Sequence, residues 1–251
     1  MDDQRIYAIG DVHGQLDELK SAHRRIARDA QASGGPAQVV HVGDLVDRGP
    51  NSRGVIEYLM DGMARGENWV IVKGNHDRFL ANYVRTGETT DGRLRAGLTW
   101  LSPGMGGAET LRSYGAEKRR LEGADKFHAR AAKKVPIAHV EFIEGLPLWH
   151  RVGGMIFVHA GIRPGFPIEA QDEDDLLWIR DEFLWRLEDH EALIVHGHTP
   201  VDAPTHYGNR VNLDVGAAYG HPLVPVVFQD GACFALEDGG RTPVVSPGGQ
   251  G

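Results

Sequence analysis

The chain has 251 residues, a length that suits one to two domains and is often a single one in α/β proteins. Asp and Glu (35) outnumber Lys and Arg (27), for a formal net charge of −8. That balance argues against broad binding to nucleic acid or to anionic membranes, both of which need a basic face. One cysteine, Cys233, cannot form an internal disulfide, and no stretch approaches 18 apolar residues. A cytoplasmic protein with no membrane segment is the simplest expectation. The residue counts that stand out are 33 glycines and 13 histidines.

In chain order, Arg5–Ile9 is a short apolar run that stops at Gly10, as a buried strand ending in a loop does. Leu16, Leu19, Ala22, His23, Ile26 and Ala30 then recur at helical spacing until Ser33-Gly34-Gly35-Pro36. A second strand is expected at Gln38–Val42, a second helix at Asn51–Ala64 and a third strand at Trp69–Val72. Strands alternating with helices imply βαβ units and a largely parallel sheet. From about 79 to 150 the period turns helical, which we read as a helical insertion beside the sheet. Strands return at Met155–Val158, Ala192–Val195, Arg210–Asp214, Val224–Phe228 and Ala232–Leu236, the last three spaced for an antiparallel meander. The expected domain spans 1–237, followed by a Gly/Pro-rich disordered tail at 238–251.

The chemistry gathers where strands end. The loops read Gly10-Asp11-Val12-His13-Gly14, Gly43-Asp44-Leu45-Val46-Asp47-Arg48-Gly49 and Gly74-Asn75-His76-Asp77. Later come His159-Ala160-Gly161 and His196-Gly197-His198-Thr199-Pro200. In open α/β sheets ligands bind beyond the carboxyl ends of strands, and glycine lets the backbone approach them closely. Asp, His and Asn without Cys suit borderline to hard divalent metals: manganese first, with iron or zinc as alternatives. Six ligand-type residues (Asp11, His13, Asp44, Asn75, His159, His198) are too many for one catalytic zinc and suit two metals sharing a carboxylate. Taken singly, each has a plainer reading. Asp and Gly are good turn residues, His159 could be a satisfied buried histidine, and Arg48 and Arg180 could be surface ion-pair formers. His196 and His198 compete for one role, because strand alternation puts both on one side. His41 reads as structural, Trp100, Trp149, Trp178 and Trp185 as packing, and Lys118-Arg119-Arg120 as a solvated helix face.

In this order and spacing the motifs resemble the phosphoprotein phosphatase branch of the calcineurin-like metallophosphoesterases, over about residues 5–220. The resemblance implies an α/β fold, the four-layer α/β/β/α sandwich, with a two-metal cleft. It makes Asp11 and His13 ligands of one metal, Asp44 the bridge, and Asn75, His159 and His198 ligands of the other. Asp47 and His76 become the acid pair, and Arg48 and Arg180 the phosphate clamp. Pro200 stands where many other metallophosphoesterases have a second histidine, which favours the phosphatase branch.

The expected reaction is phosphomonoester hydrolysis by a metal-activated hydroxide, most simply as a protein serine/threonine phosphatase acting on a phosphorylated protein or small phosphoester. The alternative is hydrolysis of dinucleoside polyphosphates such as diadenosine tetraphosphate. Enzymes of that related family often carry alanine where this chain has Asp47, so the intact Asp47-Arg48 pair favours the phosphatase. A non-catalytic metal-binding module would show losses among these residues, and none is visible. Tyr219 is left between a cleft role and packing.

Overall fold

The computed structural model describes residues 5–246. Two mixed sheets pack face to face, with helices on both outer surfaces. The first sheet contains β1 (Ile6–Ile9), β2 (Gln38–His41), β3 (Trp69–Ile71), β9 (Val226–Gln229), β10 (Ala232–Glu237) and β11 (Gly240–Pro243). The second contains β4 (Trp149–Val152), β5 (Met155–Val158), β6 (Leu193–His196), β7 (Thr205–His206) and β8 (Arg210–Asn212). The strand orders are β11-β10-β9-β1-β2-β3 and β4-β5-β6-β8-β7.

Strand alternation divides the core as the sequence pattern requires. Ile6, Ala8 and Val40 point inward, against Phe157, Val195 and Val211 of the other sheet. Tyr7, Ile9 and Val39 face a helical layer of α1 (Leu16–Ala32), α2 (Ser52–Ala64), α3 (Asn75–Thr86), α4 (Gly107–Ser113), α5 (Ala124–Ala132) and α6 (Ile137–Glu144). On the opposite surface Ile156, Val158 and Ile194 pack on α7 (Glu173–Trp178) and α8 (Asp181–Leu184) through Leu176 and Phe183. This is the four-layer α/β/β/α sandwich expected from the sequence. Among the described residues no helix is long and apolar enough to cross a membrane.

Several expectations are corrected. The anticipated meander of the 210, 224 and 232 strands does not form, because β8 lies parallel to β6 in the second sheet. The antiparallel run is β9-β10-β11 instead. Part of the supposed disordered tail is therefore strand β11, held to α1 by two hydrogen bonds from Arg241 to Asp29, at 2.7 and 2.8 Å. Residues 247–251 of that tail lie outside the described residues. Lys118-Arg119-Arg120 is an exposed loop rather than a helix face, and Trp185 is 79% exposed rather than packed. The helical insertion joins α1 and α2 in one layer over the first sheet.

Parallel pairing of β1, β2 and β3 in one sheet, and of β5, β6 and β8 in the other, turns six carboxyl ends toward one edge of the sandwich. Each strand-end motif follows one of the first five.

Candidate active site

All six candidate metal-ligating residues are buried, each at 6% exposure or less. The loops after β1 and β2 are stitched together by Val12 and His13, whose N–H groups both donate to the Asp44 carbonyl, at 3.1 and 2.8 Å. Asp77 binds the next junction. Its two carboxylate oxygens accept from Leu45 N–H and Gly74 N–H, each at 2.8 Å. A side chain on Gly74 would lie 2.2 Å from Asp44 Oδ1, and one on Gly197 would lie 2.0 Å from Asp11 Oδ1, so glycine is required at both approaches. The backbone is also strained here. Among the described residues six non-glycine residues have positive φ, and five of them are His13, Asp44, Asp47, Arg48 and His198. Strain of this kind persists only where the surroundings over-determine it, and it clusters at functional sites.

The acceptors converge. His13 Nδ1–H donates to the Val46 carbonyl at 2.8 Å, and His159 Nδ1–H to the Val42 carbonyl at 2.8 Å, which leaves both Nε2 lone pairs facing inward. His13 Nε2 then lies 3.4 Å from Asp44 Oδ2, and His159 Nε2 lies 3.3 Å from Asp44 Oδ1. Asp44 thus faces both groups with different oxygens, as a shared ligand would. His159 Nε2 is also 2.9 Å from Asn75 Oδ1, so two acceptors face each other across a gap that suits a cation. His198 Nε2 is buried and has no hydrogen-bond partner among the described residues. His13, Asp44 and His76 form one group of possible metal-binding atoms, and Asp44, His159 and His198 form a second. Asp11 lies beside the first group, 4.0 Å from His13 Nε2, and accepts the His198 N–H at 3.1 Å.

Burial is the main electrostatic force in the cleft. It pushes the imidazoles of His13, His159 and His198 toward the neutral form, and Arg48 adds to this at His13. Neutral imidazole is the form that ligates metal. Burial also drives the Asp11 carboxyl well up, reinforced by Asp214 and Asp44. Asp214 itself is pushed up to about 6. Asp44 goes the other way, held down against its burial by His159, His76 and His13 around it. The shortage of positive charge, which divalent cations would supply, therefore falls on Asp11 and Asp214.

Around this centre, His76 Nδ1–H donates to Asp47 Oδ2 at 2.6 Å, and Arg48 Nη2 lies 3.0 Å from His76 Nε2. The second nitrogen of the Arg48 guanidinium reaches His13 Nε2. Arg180, between α7 and α8, donates from Nη2 to the His198 carbonyl at 3.4 Å. Asp47, His76, Arg48 and Arg180 therefore border the metal-ligating cluster. His196 does not. β6 ends at His196, and the positive φ of His198 turns the chain, so the expectation that both histidines share a side fails. His196 packs edge-on against Phe183 in the outer layer, whereas the His198 ring lies 5.0 Å from that of His159.

Sequence reasoning missed the residues that hold the others. Asp77 and Asp214 carried a signal, being acidic residues beside or beyond a strand end. Trp100 and Thr110, which bond Asp47, and Ser52, which bonds Thr110, carried none.

Residues 4–228 match the calcineurin-like phosphoesterase family. A Bacillus velezensis protein named bis(5'-nucleosyl)-tetraphosphatase PrpE (asymmetrical) is 25% identical, over 91% of each chain. A Halalkalibacterium halodurans protein of the same name is 28% identical, over 95% of each. Among solved structures, a protein provisionally named a diadenosine tetraphosphatase superposes with a TM-score of 0.63 at 21% identity, covering 97% of this chain and 95% of that one. At that identity the likeness shows the fold alone. The chain belongs to the calcineurin-like phosphoesterase family and is a hydrolase acting on phosphoric esters.

Proposed function

We propose that this hydrolase cleaves the polyphosphate bridge of dinucleoside polyphosphates, of the bis(5'-nucleosyl)-tetraphosphate class. The observation that carries the reading is the end-to-end match to relatives bearing that name, which leaves almost none of either chain unpaired. This reverses the preference drawn from the Asp47-Arg48 pair. An acid pair helps most with a poor leaving group, but it is compatible with a good one.

In this reading Asp11 and His13 would hold one divalent ion, Asn75, His159 and His198 the other, and Asp44 would serve both. When bound, the ions supply positive charge and a water acidic enough to ionise near neutral pH. Manganese is the first choice, with iron or zinc as alternatives. Arg48 and Arg180 grip the phosphoryl oxygens through charge-assisted hydrogen bonds. His76 delivers a proton from Nε2 to the departing oxygen, while Asp47, hydrogen-bonded to Nδ1, orients the ring.

A second reading, phosphomonoester hydrolysis on serine/threonine phosphoproteins, is favoured by the buried Asp47–His76 pair, which suits an alkoxide leaving group. The test is a substrate panel with Mn: diadenosine tetraphosphate, a phosphoserine peptide and p-nitrophenyl phosphate. Release of a nucleoside monophosphate and a triphosphate, with the highest kcat/KM of the panel, is expected. Cleavage of the phosphopeptide with the dinucleotide left intact would overturn the proposal in favour of the second reading.

A further inference from the structure

One aromatic side chain at the cleft has no part in the fold or in the reaction derived above. Tyr219 closes a single turn, Ala217–Tyr219, and is 64% exposed, whereas Ala217 at 1% anchors the turn in the core. The turn is firmly held. Gly216 and Gly220 bracket it at φ 73 and 91°, conformations that favour glycine. Gly216 N–H donates to the buried Asp214 carboxylate at 2.9 Å, and Tyr219 N–H to the Gly216 carbonyl at 2.8 Å. The Tyr219 ring lies over Arg48, whose guanidinium carbon is 5.7 Å from the ring centroid. That same guanidinium reaches His13 and His76 at the centre of the site. The ring therefore has one surface against the cation proposed to grip phosphate and the rest open to solvent.

We propose that Tyr219 is a stacking platform for the nucleobase of the nucleotide whose phosphate is held at Arg48. This rests on the dinucleoside polyphosphate reading and supplies what that reading otherwise lacks, a surface that recognises the nucleoside. The ring is pre-positioned by the turn and by the guanidinium beneath it, so little freedom is lost when a base covers it. Stacking on an aromatic face accepts any base, so the platform selects for a nucleoside without selecting its sequence identity.

The experiment compares AMP with ribose 5-phosphate, which carries a sugar and a phosphate but no base. Both are assayed as inhibitors of p-nitrophenyl phosphate hydrolysis by the wild type, Tyr219→Phe and Tyr219→Ala with Mn. Calorimetric Kd values read the same ratio if a variant turns over slowly. Wild-type protein should bind AMP tighter by roughly 5- to 100-fold, the contribution of one stacked base. Tyr219→Phe should keep that ratio and Tyr219→Ala should collapse it toward one. Using a ratio cancels any disturbance of Arg48 or of metal content. A ratio near one in the wild type, or an unchanged ratio in Tyr219→Ala, would overturn the platform. Wild-type cleavage of diadenosine tetraphosphate, measured beside it, decides the functional reading separately. Cleavage with an Ala-insensitive ratio removes the platform alone. A Tyr219-dependent ratio without cleavage removes the tetraphosphatase reading and leaves a nucleotide site.

Discussion

Trp100 Nε1 donates to Asp47 Oδ2 at 2.7 Å, on the same oxygen that takes the His76 Nδ1 proton at 2.6 Å. Thr110 donates to the other oxygen at 2.7 Å, so the buried carboxylate has three donors and a single orientation. Trp100 and Thr110 come from the stretch after α3, so the helical insertion closes the acid pair rather than merely covering the sheet. Trp100→Phe removes one donor from a buried charge. It should lower folding stability by about 1.5–3 kcal/mol, the worth of a hydrogen bond to a charged group. It should also lower the rate on phosphoserine relative to p-nitrophenyl phosphate. Denaturant unfolding and the two-substrate ratio read these effects. No change in either would show that the bond does not support Asp47.

The facing acceptors around Asp44 predict two divalent ions per chain. Asp44→Asn should weaken both sites together, since each oxygen faces a different histidine. Elemental analysis after reconstitution is the check. A fully active protein carrying one ion or none would dispose of the dinuclear reading.

Arg48 and Arg180 approach the cluster from two sides, one at His13 and His76 and the other at the His198 carbonyl. Arg48→Ala and Arg180→Ala should each weaken inhibition by inorganic phosphate, by an amount corresponding to roughly 1.5–3 kcal/mol. Metal content should stay the same. Unaltered phosphate inhibition in both variants would dissolve the clamp.

Away from the site, His23 Nε2 and His41 Nε2 meet at 2.9 Å beneath the helical layer. His41 Nδ1–H is committed to the Val70 carbonyl, so His23 is the donor between the rings, and a proton added at His41 Nε2 would set two N–H groups against each other. Burial pushes His23 down to about 2, with His41 adding to it, and His41 down to about 4. Both folded values lie below the unfolded value near 6.5, so the unfolded chain binds more protons in between. The stabilisation is therefore complete above about pH 6.5 and lost as pH falls, by up to about 1.4 kcal/mol per unit for each ring. The double variant His23→Gln/His41→Gln should flatten the decline in unfolding free energy between pH 6.5 and 5. An identical slope in both proteins would show that the pair does not report on acid.

The six ligand-type residues were legible because strand-end loops flanked by glycine are a local pattern, and all six share one cleft. What held them was not. Asp77, Thr110 and Trp100 act across 32, 63 and 53 residues of sequence, and no local rule connects such partners. The sharing of β8 and β9 between two sheets was equally hidden, because short spacing fits a meander as well as a crossover. Strand β11 was missed because Gly240 and Pro243 read as breakers, while its partners lie in β10 and α1. The His196–His198 ambiguity was resolved by a positive φ at a non-glycine residue, which sequence does not announce.

His76 is the most exposed part of the proposed chemistry, because its role depends on what leaves. Its Nδ1 is tied to Asp47 at 2.6 Å, so only Nε2 can serve the substrate. If it donates the proton, His76→Asn should cost roughly 10²–10⁴-fold in kcat on phosphoserine, the usual contribution of a positioned acid. The cost on p-nitrophenyl phosphate should be clearly smaller, since p-nitrophenolate departs with little protonation. Diadenosine tetraphosphate should fall on the p-nitrophenyl side, because its leaving group is a nucleotide phosphate rather than an alkoxide. Asp47→Asn should give the same order of losses in weaker form, as it acts only through the ring. His76 adjoins Asn75, and its N–H donates to Asp44 Oδ1 at 3.0 Å, so metal content has to be measured on each variant. Equal losses on all three substrates at full metal occupancy would exclude the acid role. His76 would then act as a fixed positive dipole beside the transferred phosphoryl group.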